Sequence, residues 1–271
     1  MLSGRILKVA TAEDAKRIRE ENKRIIELQY ERVKNYKLLK RYPSPDEAVI
    51  PLNIYQTWHS KPLPPLMREN VRRLKEGHPN FRYFLYDDFN CREFIRNNFD
   101  ADVVNAFDRL IPGAYKADLW RYCVLFINGG IYMDIKYSCI NTFKMIELIT
   151  REHFVLDIDE RCIYNALMAV KPQNAIIGKC IAKVVENVKN RYYGSSCLSP
   201  TGPDMMAQFF TADDYSNIIL EHVFDKKKNS KLIVMNQVPV LKMYKGYYEE
   251  QDRFKRVKHY GGLWDERKIY T

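Results

Sequence analysis

Asp118 and Arg121 stand three residues apart in the run Ala117-Asp118-Leu119-Trp120-Arg121-Tyr122, and Asp134 closes the run Gly129-Gly130-Ile131-Tyr132-Met133-Asp134. If the first run is helical, the Asp118 and Arg121 side chains project from one face. A carboxylate and a guanidinium side by side can accept from hydroxyls and donate to hydroxyl or phosphate oxygens. Asp134 sits at the end of a short apolar strand beside two glycines, a position from which a carboxylate can handle a diphosphate and its metal. On an arbitrary helix the Asp118 and Arg121 spacing would read as a surface ion pair. Here the helix leads directly into Gly129-Gly130 and the Asp134 strand, so the three polar groups converge on one crevice.

The elements that must position these groups alternate along the chain. Residues 49–58 read as a buried first strand entered through Pro51 and ending at Trp58-His59. Residues 65–76 are helical by period, 81–86 form a second strand by aromatic density, and Asp87-Asp88 open a helix running to about residue 97. A further helix covers 115–126, Gly129-Gly130 end it, and 131–133 form the next strand. Strand, helix, strand, helix, strand is the grammar of an α/β sheet, with ligands outside the carboxyl ends of its strands. Beyond Asp134, 155–157 and 163–170 read as strands, 175–190 as a helix and 204–211 as the start of another. Lysines 226–228 mark an exposed turn, and 232–235 and 238–241 read as short strands. Residues 11–41 form a long amphipathic helix in which Thr11 and Asp14 resemble a capping box, and Pro43 and Pro45 break it into a linker.

The chain has 271 residues, 46% of them hydrophobic and 19 of them tyrosine, enough for one large globular domain that needs no disulfide staples. Its six cysteines are scattered without CxxC pairing, which argues against a zinc or redox motif and for buried thiols. The formal charge of +10 is compatible with nucleic acid, an anionic membrane or a phosphorylated substrate. The basic residues are interleaved with acids rather than set in a stripe, so no specific nucleic-acid partner is expected. No apolar run of membrane-spanning length and no signal-peptide h-region occurs, so the chain as given reads as soluble and cytoplasmic. The N-terminal helix leaves a peripheral membrane contact or a homo-oligomer contact open.

Taken together, the Ala117 to Tyr122 run and the Gly129 to Asp134 run resemble the core of the sugar-binding DXD glycosyltransferases, the Och1-like mannosyltransferases and their relatives. Residues 50–58 are similar to that family's opening strand, and Asn165, Lys171-Pro172, Thr201-Gly202-Pro203 and the closing 259–264 segment follow in the family's order. The resemblance covers 49–264. It implies an α/β, GT-A-like single Rossmann-type nucleotide-binding domain with a mixed central sheet over 47–271, behind an N-terminal helical extension and linker over 1–46. It further implies a retaining hexosyl transfer from a UDP- or GDP-hexose to a glycan or protein acceptor.

Carried over residue by residue, the resemblance sets Gln56, Thr57 and Trp58 beside the nucleotide base, with the Trp58 indole as a stacking surface. Asp118 and Arg121 then hold hydroxyls of the donor sugar, Tyr132 and Asn165 line the donor side, and Asp134 faces the metal-diphosphate unit. His259 takes the place of a C-terminal group that approaches the metal or diphosphate. The second acid of the DXD motif is replaced by Lys136, which leaves two arrangements. The Lys136 ammonium can supply charge at the diphosphate itself, or it can point away while Asp134 and His259 hold Mn2+ or Mg2+ with water and phosphate oxygens. The second is the expectation, because a metal keeps several water ligands. Alternative readings are a degenerate glycan- or nucleotide-binding module without transfer activity and, further off, a basic nucleic-acid-binding protein.

Overall fold

The computed structural model describes residues 12–225 and 230–271, so Thr11 of the expected capping box and the 226–228 lysine run lie outside the described residues. The chain divides into two compact units, 1–40 and 41–271. In the first, α1 (Ala12–Leu38) is a single helix of 27 residues on which Ile25, Ile26, Leu28, Tyr30 and Leu38 are exposed.

The second unit opens with β1 (Asn53–Thr57), α2 (Pro65–Gly77), β2 (Arg82–Tyr86), α3 (Asp88–Asn98), α4 (Ala101–Arg109), α5 (Gly113–Asn128) and β3 (Gly130–Met133). Pro65 stands at the first helical position of α2, where its missing N–H costs nothing. Met67, Asn70, Val71 and Leu74 form the buried face of α2. Asp87 caps α3 by accepting from Asn90 N, and Asp100 caps α4 by accepting from Asp102 N and Val103 N. α5 is buried on most sides, from Tyr115 through Leu125, as its nearly continuous apolar sequence requires. Gly129 terminates α5 at φ 59°, with its N–H on Leu125 O at 2.8 Å, and a Cβ at that residue would lie 2.6 Å from the Pro172 ring.

Then follow β4 (Tyr137–Cys139), β5 (Val155–Leu156), β6 (Leu167–Val170), α6 (Ala175–Lys189), α7 (Pro203–Ala207), α8 (Ala212–Ser216), β7 (Leu220–Asp225), β8 (Ser230–Met235), β9 (Val238–Met243), α9 (Tyr247–Phe254) and α10 (Tyr260–Asp265). Two sheets result. The first has order β2-β1-β3-β6, with β1 parallel to both neighbours and β6 antiparallel to β3. The second has order β4-β9-β8-β7-β5 and is also mixed, since only β5 and β7 run parallel. The chain passes from β1 to β2 on one side and returns to β3 on the other. That reversal opens a crevice at the carboxyl ends of β1 and β3, where Trp58 and Asp134 emerge.

The protein is thus an α/β molecule with mixed sheets, and its strands are shorter than the apolar runs that contain them. In the 49–58 run only Asn53–Thr57 is a strand, because Val49 N and Ile50 N both turn to Ile149 O. In the 163–170 run only Leu167–Val170 forms a strand, while Ile163 makes an isolated bridge to Leu156 and Tyr164 N is drawn to Val155 O at 2.8 Å. This detour carries Asn165 out of the sheet and towards α5. Helix α4 and strands β4 and β7 add to the elements expected from the sequence.

Cys91, Cys123, Cys162 and Cys180 are buried free thiols. Among the described residues no helix is long and apolar enough to cross a membrane.

Candidate active site

Asp118 lies one turn before Arg121 and Tyr122 on the buried face of α5, and Asp134 follows β3 directly. Asp134 N donates to Ala166 O at 2.8 Å, which fixes the strand end against the loop that carries Asn165. Gly130, at φ 103°, lets β3 pass close to β1: a Cβ there would sit 2.9 Å from Asn53 O.

Three chain segments meet at Asp118. Asn165 Nδ2 donates to its Oδ1 at 3.0 Å, Thr201 Oγ1 donates to its Oδ2 at 2.8 Å, and Arg121 Nη2 lies 3.2 Å from Oδ1. Tyr122 Oη accepts from Asn165 Nδ2 at 2.7 Å and donates to Thr201 O at 2.9 Å, closing the ring. Arg121 is held by Ala117 O and Asn165 O, at 3.2 and 2.8 Å, and its guanidinium lies 4.3 Å from the centre of the Tyr132 ring. Its Nη1 is 3.5 Å from Asp134 Oδ1. The same Oδ1 accepts from Tyr132 Oη at 2.7 Å, while Lys136 Nζ donates to Oδ2 at 2.6 Å.

Burial sets the protonation of this cluster. It pushes the Asp118 carboxyl up to about 6 against the pull of Arg121 and Thr201. It pushes the same way on Asp134, but Lys136 and Arg121 together outweigh it and hold that carboxyl below the usual range. For Lys136 burial favours the neutral amine, and the Asp134 carboxylate more than restores the charge. At neutral pH two carboxylates therefore face two cations in a space largely withdrawn from water.

Of the residues singled out in the sequence, Asp118, Arg121, Tyr132, Asp134, Lys136 and Asn165 form one contiguous network. Gln56 touches it through the backbone: its fully buried amide donates to Met133 O at 3.1 Å and accepts from Tyr83 Oη at 2.9 Å. Thr57 Oγ1 donates to Tyr86 O at 2.9 Å, tying β1 to β2. Trp58 is half-buried against an apolar cluster that contains Ile135 and Tyr247. His259 caps α10, its Nδ1 accepting from Gly261 N at 3.2 Å.

The network also includes residues outside the initial site assignment. Tyr122 is on the Asp118 face at i+4, a signal present in the sequence. Thr201 stands more than eighty residues further on, and only the fold reveals that its hydroxyl is aimed at Asp118. Around Lys136, the Tyr137 and Tyr164 rings lie 5.3 and 5.4 Å from the ammonium and their hydroxyls are 3.0 Å apart.

Residues 64–155, the span that holds Asp118, Arg121 and Asp134, match the family model described as the glycosyltransferase sugar-binding region containing DXD motif. The chain is 29% identical over 159 residues to inositol phosphoceramide mannosyltransferase 2 of Schizosaccharomyces pombe, covering 58% of this chain and 45% of the relative. It is 27% identical over 149 residues to the initiation-specific alpha-1,6-mannosyltransferase of Candida albicans, covering 47% and 38% respectively. The chain thus spans less than half the length of these relatives. Among solved structures, the PaToxG glycosyltransferase superposes with a TM-score of 0.45 at 18% identity, covering 72% of this chain and 78% of the other.

The DXD motif of the matched region reads Asp134-Ile135-Lys136 here. This donor set does not fit a divalent cation. Its one carboxylate is ion-paired at 2.6 Å with an ammonium that cannot ligate, and His259, expected from the sequence to share the metal with Asp134, instead uses its Nδ1 to cap α10. Among the described residues no group of three or more His, Cys, Asp or Glu side chains is arranged to hold a metal.

Proposed function

We propose that this protein transfers a hexosyl group from a nucleoside-diphosphate sugar, UDP- or GDP-linked, to a hydroxyl of a glycan or protein acceptor. The observation that carries the reading is the buried Asp118, Arg121 and Asp134 network at the carboxyl ends of β1 and β3, within the span that matches the sugar-binding region. The names of the relatives favour a mannosyl group as the first to test. The transferase region is 47–271 and the preceding residues are an extension to it.

In this reading the ionised Asp118 carboxylate, steadied by Thr201 and Asn165, uses its remaining lone pairs to accept from donor-sugar hydroxyls. Arg121 fixes Asp118 relative to Asp134 and so orients the sugar over the strand end, where positional precision counts most towards rate. Trp58 offers its indole to the base at the mouth of the crevice. Both carboxylates are held by cations rather than poised to attack the anomeric carbon. With the retention that the family resemblance implies, transfer proceeds on the face the diphosphate leaves.

Incubation with GDP-mannose, UDP-glucose and UDP-galactose, followed by detection of the released nucleoside diphosphate, tests the proposal. One donor should be consumed by the wild type and not by Asp134→Asn. Binding of a donor without its consumption would instead support the alternative of a nucleotide-sugar-binding module without transfer activity.

A further inference from the structure

The replacement of the second DXD acid by Lys136 changes the charge at that position from negative to positive, a difference equal to the charge of a divalent cation. Lys136 is not a solvated surface lysine. Its side chain is 15% exposed, its ammonium is 2.6 Å from Asp134 Oδ2, and the Tyr137 and Tyr164 ring faces bracket it at 5.3 and 5.4 Å. Its backbone is pinned as well, since Tyr244 N donates to Lys136 O at 2.9 Å. Tyr164 is braced in turn by His222, whose ring stacks on it at 3.8 Å and whose Nδ1 lies 2.7 Å from Asp157 Oδ1. An ammonium carries three N–H groups, and Asp134 Oδ2 is the acceptor recorded for Lys136 among the described residues. The remaining donors belong to a fixed cation beside Asp134, where the leaving diphosphate would develop charge.

Resting on the glycosyl-transfer reading, we propose that Lys136 replaces the divalent cation of this site: its ammonium, held by Asp134 and the two tyrosines, donates to the departing diphosphate and makes transfer independent of metal. In the step, the bond from the anomeric carbon to the diphosphate oxygen breaks with its electron pair going to that oxygen. The acceptor oxygen forms the new bond and passes its proton to the diphosphate, which leaves as the nucleoside diphosphate. Lys136 remains protonated throughout. Arg121 is the second cation of the site, but its three nitrogens are occupied by Ala117 O, Asn165 O, Asp118 and Asp134, so it shapes the site rather than serving the diphosphate.

Chelation and three proteins decide the matter. Turnover of GDP-mannose and UDP-glucose is measured with EDTA and then with Mn2+ for the wild type, Lys136→Met and Lys136→Asp, alongside calorimetric binding of GDP and UDP in EDTA. The expected result is wild-type turnover and nucleotide binding undiminished by EDTA, a loss of about 100-fold or more for Lys136→Met, and Mn2+-dependent turnover for Lys136→Asp. Wild-type turnover abolished by EDTA and restored by Mn2+ overturns the role of Lys136 while leaving the transferase reading intact. No turnover of any donor, with or without Mn2+, overturns the transferase reading and this inference with it. The wild-type and Lys136→Met results suffice if Lys136→Asp fails to fold.

Discussion

Asp118 is the residue whose ionisation the pH should report. Burial raises its carboxyl to about 6, so below that pH it takes up a proton and loses acceptor capacity. Donor binding should weaken as pH falls through about 6, and the same titration on Asp118→Asn should show weak binding without that limb. The sign for stability is opposite. The folded state holds this proton more tightly than the unfolded chain, so the stabilising contribution is complete below the ordinary carboxylate range and is lost as pH rises to about 6. Asn165→Ala removes donors from both Asp118 and Tyr122 and should cost about 1–3 kcal/mol in denaturant melts. At this scale Asp118, Arg121, Asp134 and Lys136 were legible because they sit within nineteen consecutive positions of two motifs. Thr201 was visible only as part of the Thr201-Gly202-Pro203 motif and its role was not, because a hydroxyl in a loop becomes part of the site only when tertiary structure points it at a carboxylate.

Two contacts between elements hold the crevice in shape. Gly130 carries β3 past β1 at φ 103°, where an added Cβ meets Asn53 O at 2.9 Å and the Tyr55 ring at 3.1 Å. Gly130→Ala should therefore destabilise the protein by about 1–3 kcal/mol, read as a lower denaturation midpoint. At the other end of the sheet, Glu250 of α9 reaches the N-terminus of α2 and accepts from Leu66 N at 2.7 Å and Met67 N at 2.9 Å. Pro64 and Pro65 offer no capping side chain, so the carboxylate is supplied from elsewhere in the fold. Glu250→Ala should cost about 1 kcal/mol, with the loss visible in thermal melts. The helices with local caps, such as Asp87 on α3, could be placed from sequence. Strand ends could not, because Ile163, Tyr164 and Ala166 are as strand-like as the residues that follow and are diverted by partners remote in sequence, among them Val155 O and Pro203 O.

At the scale of the whole molecule, the parallel β1-α2-β2 unit and the return to β3 place one crevice at one end of one sheet, and the charged groups of the candidate site reach it as two pairs, Asp118 and Arg121 from α5 and Asp134 and Lys136 from the turn between β3 and β4. The alternation that announced an α/β fold was readable in residues 49–134. The second sheet was only partly so, because β4 has three residues and β5 has two, too short to leave a periodic trace. A donor that engages this crevice binds the folded chain alone, so at a hundredfold excess over its dissociation constant it should stabilise the protein by about 2.7 kcal/mol. Calorimetric titration of the wild type and Asp118→Asn with GDP-mannose and UDP-glucose is the most direct measurement. Saturable binding of one donor by the wild type, lost or severely weakened in a folded Asp118→Asn protein, is the expected result. Equal binding by both proteins, or no binding of either donor by the wild type, would contradict the assignment of this network as a nucleotide-sugar site.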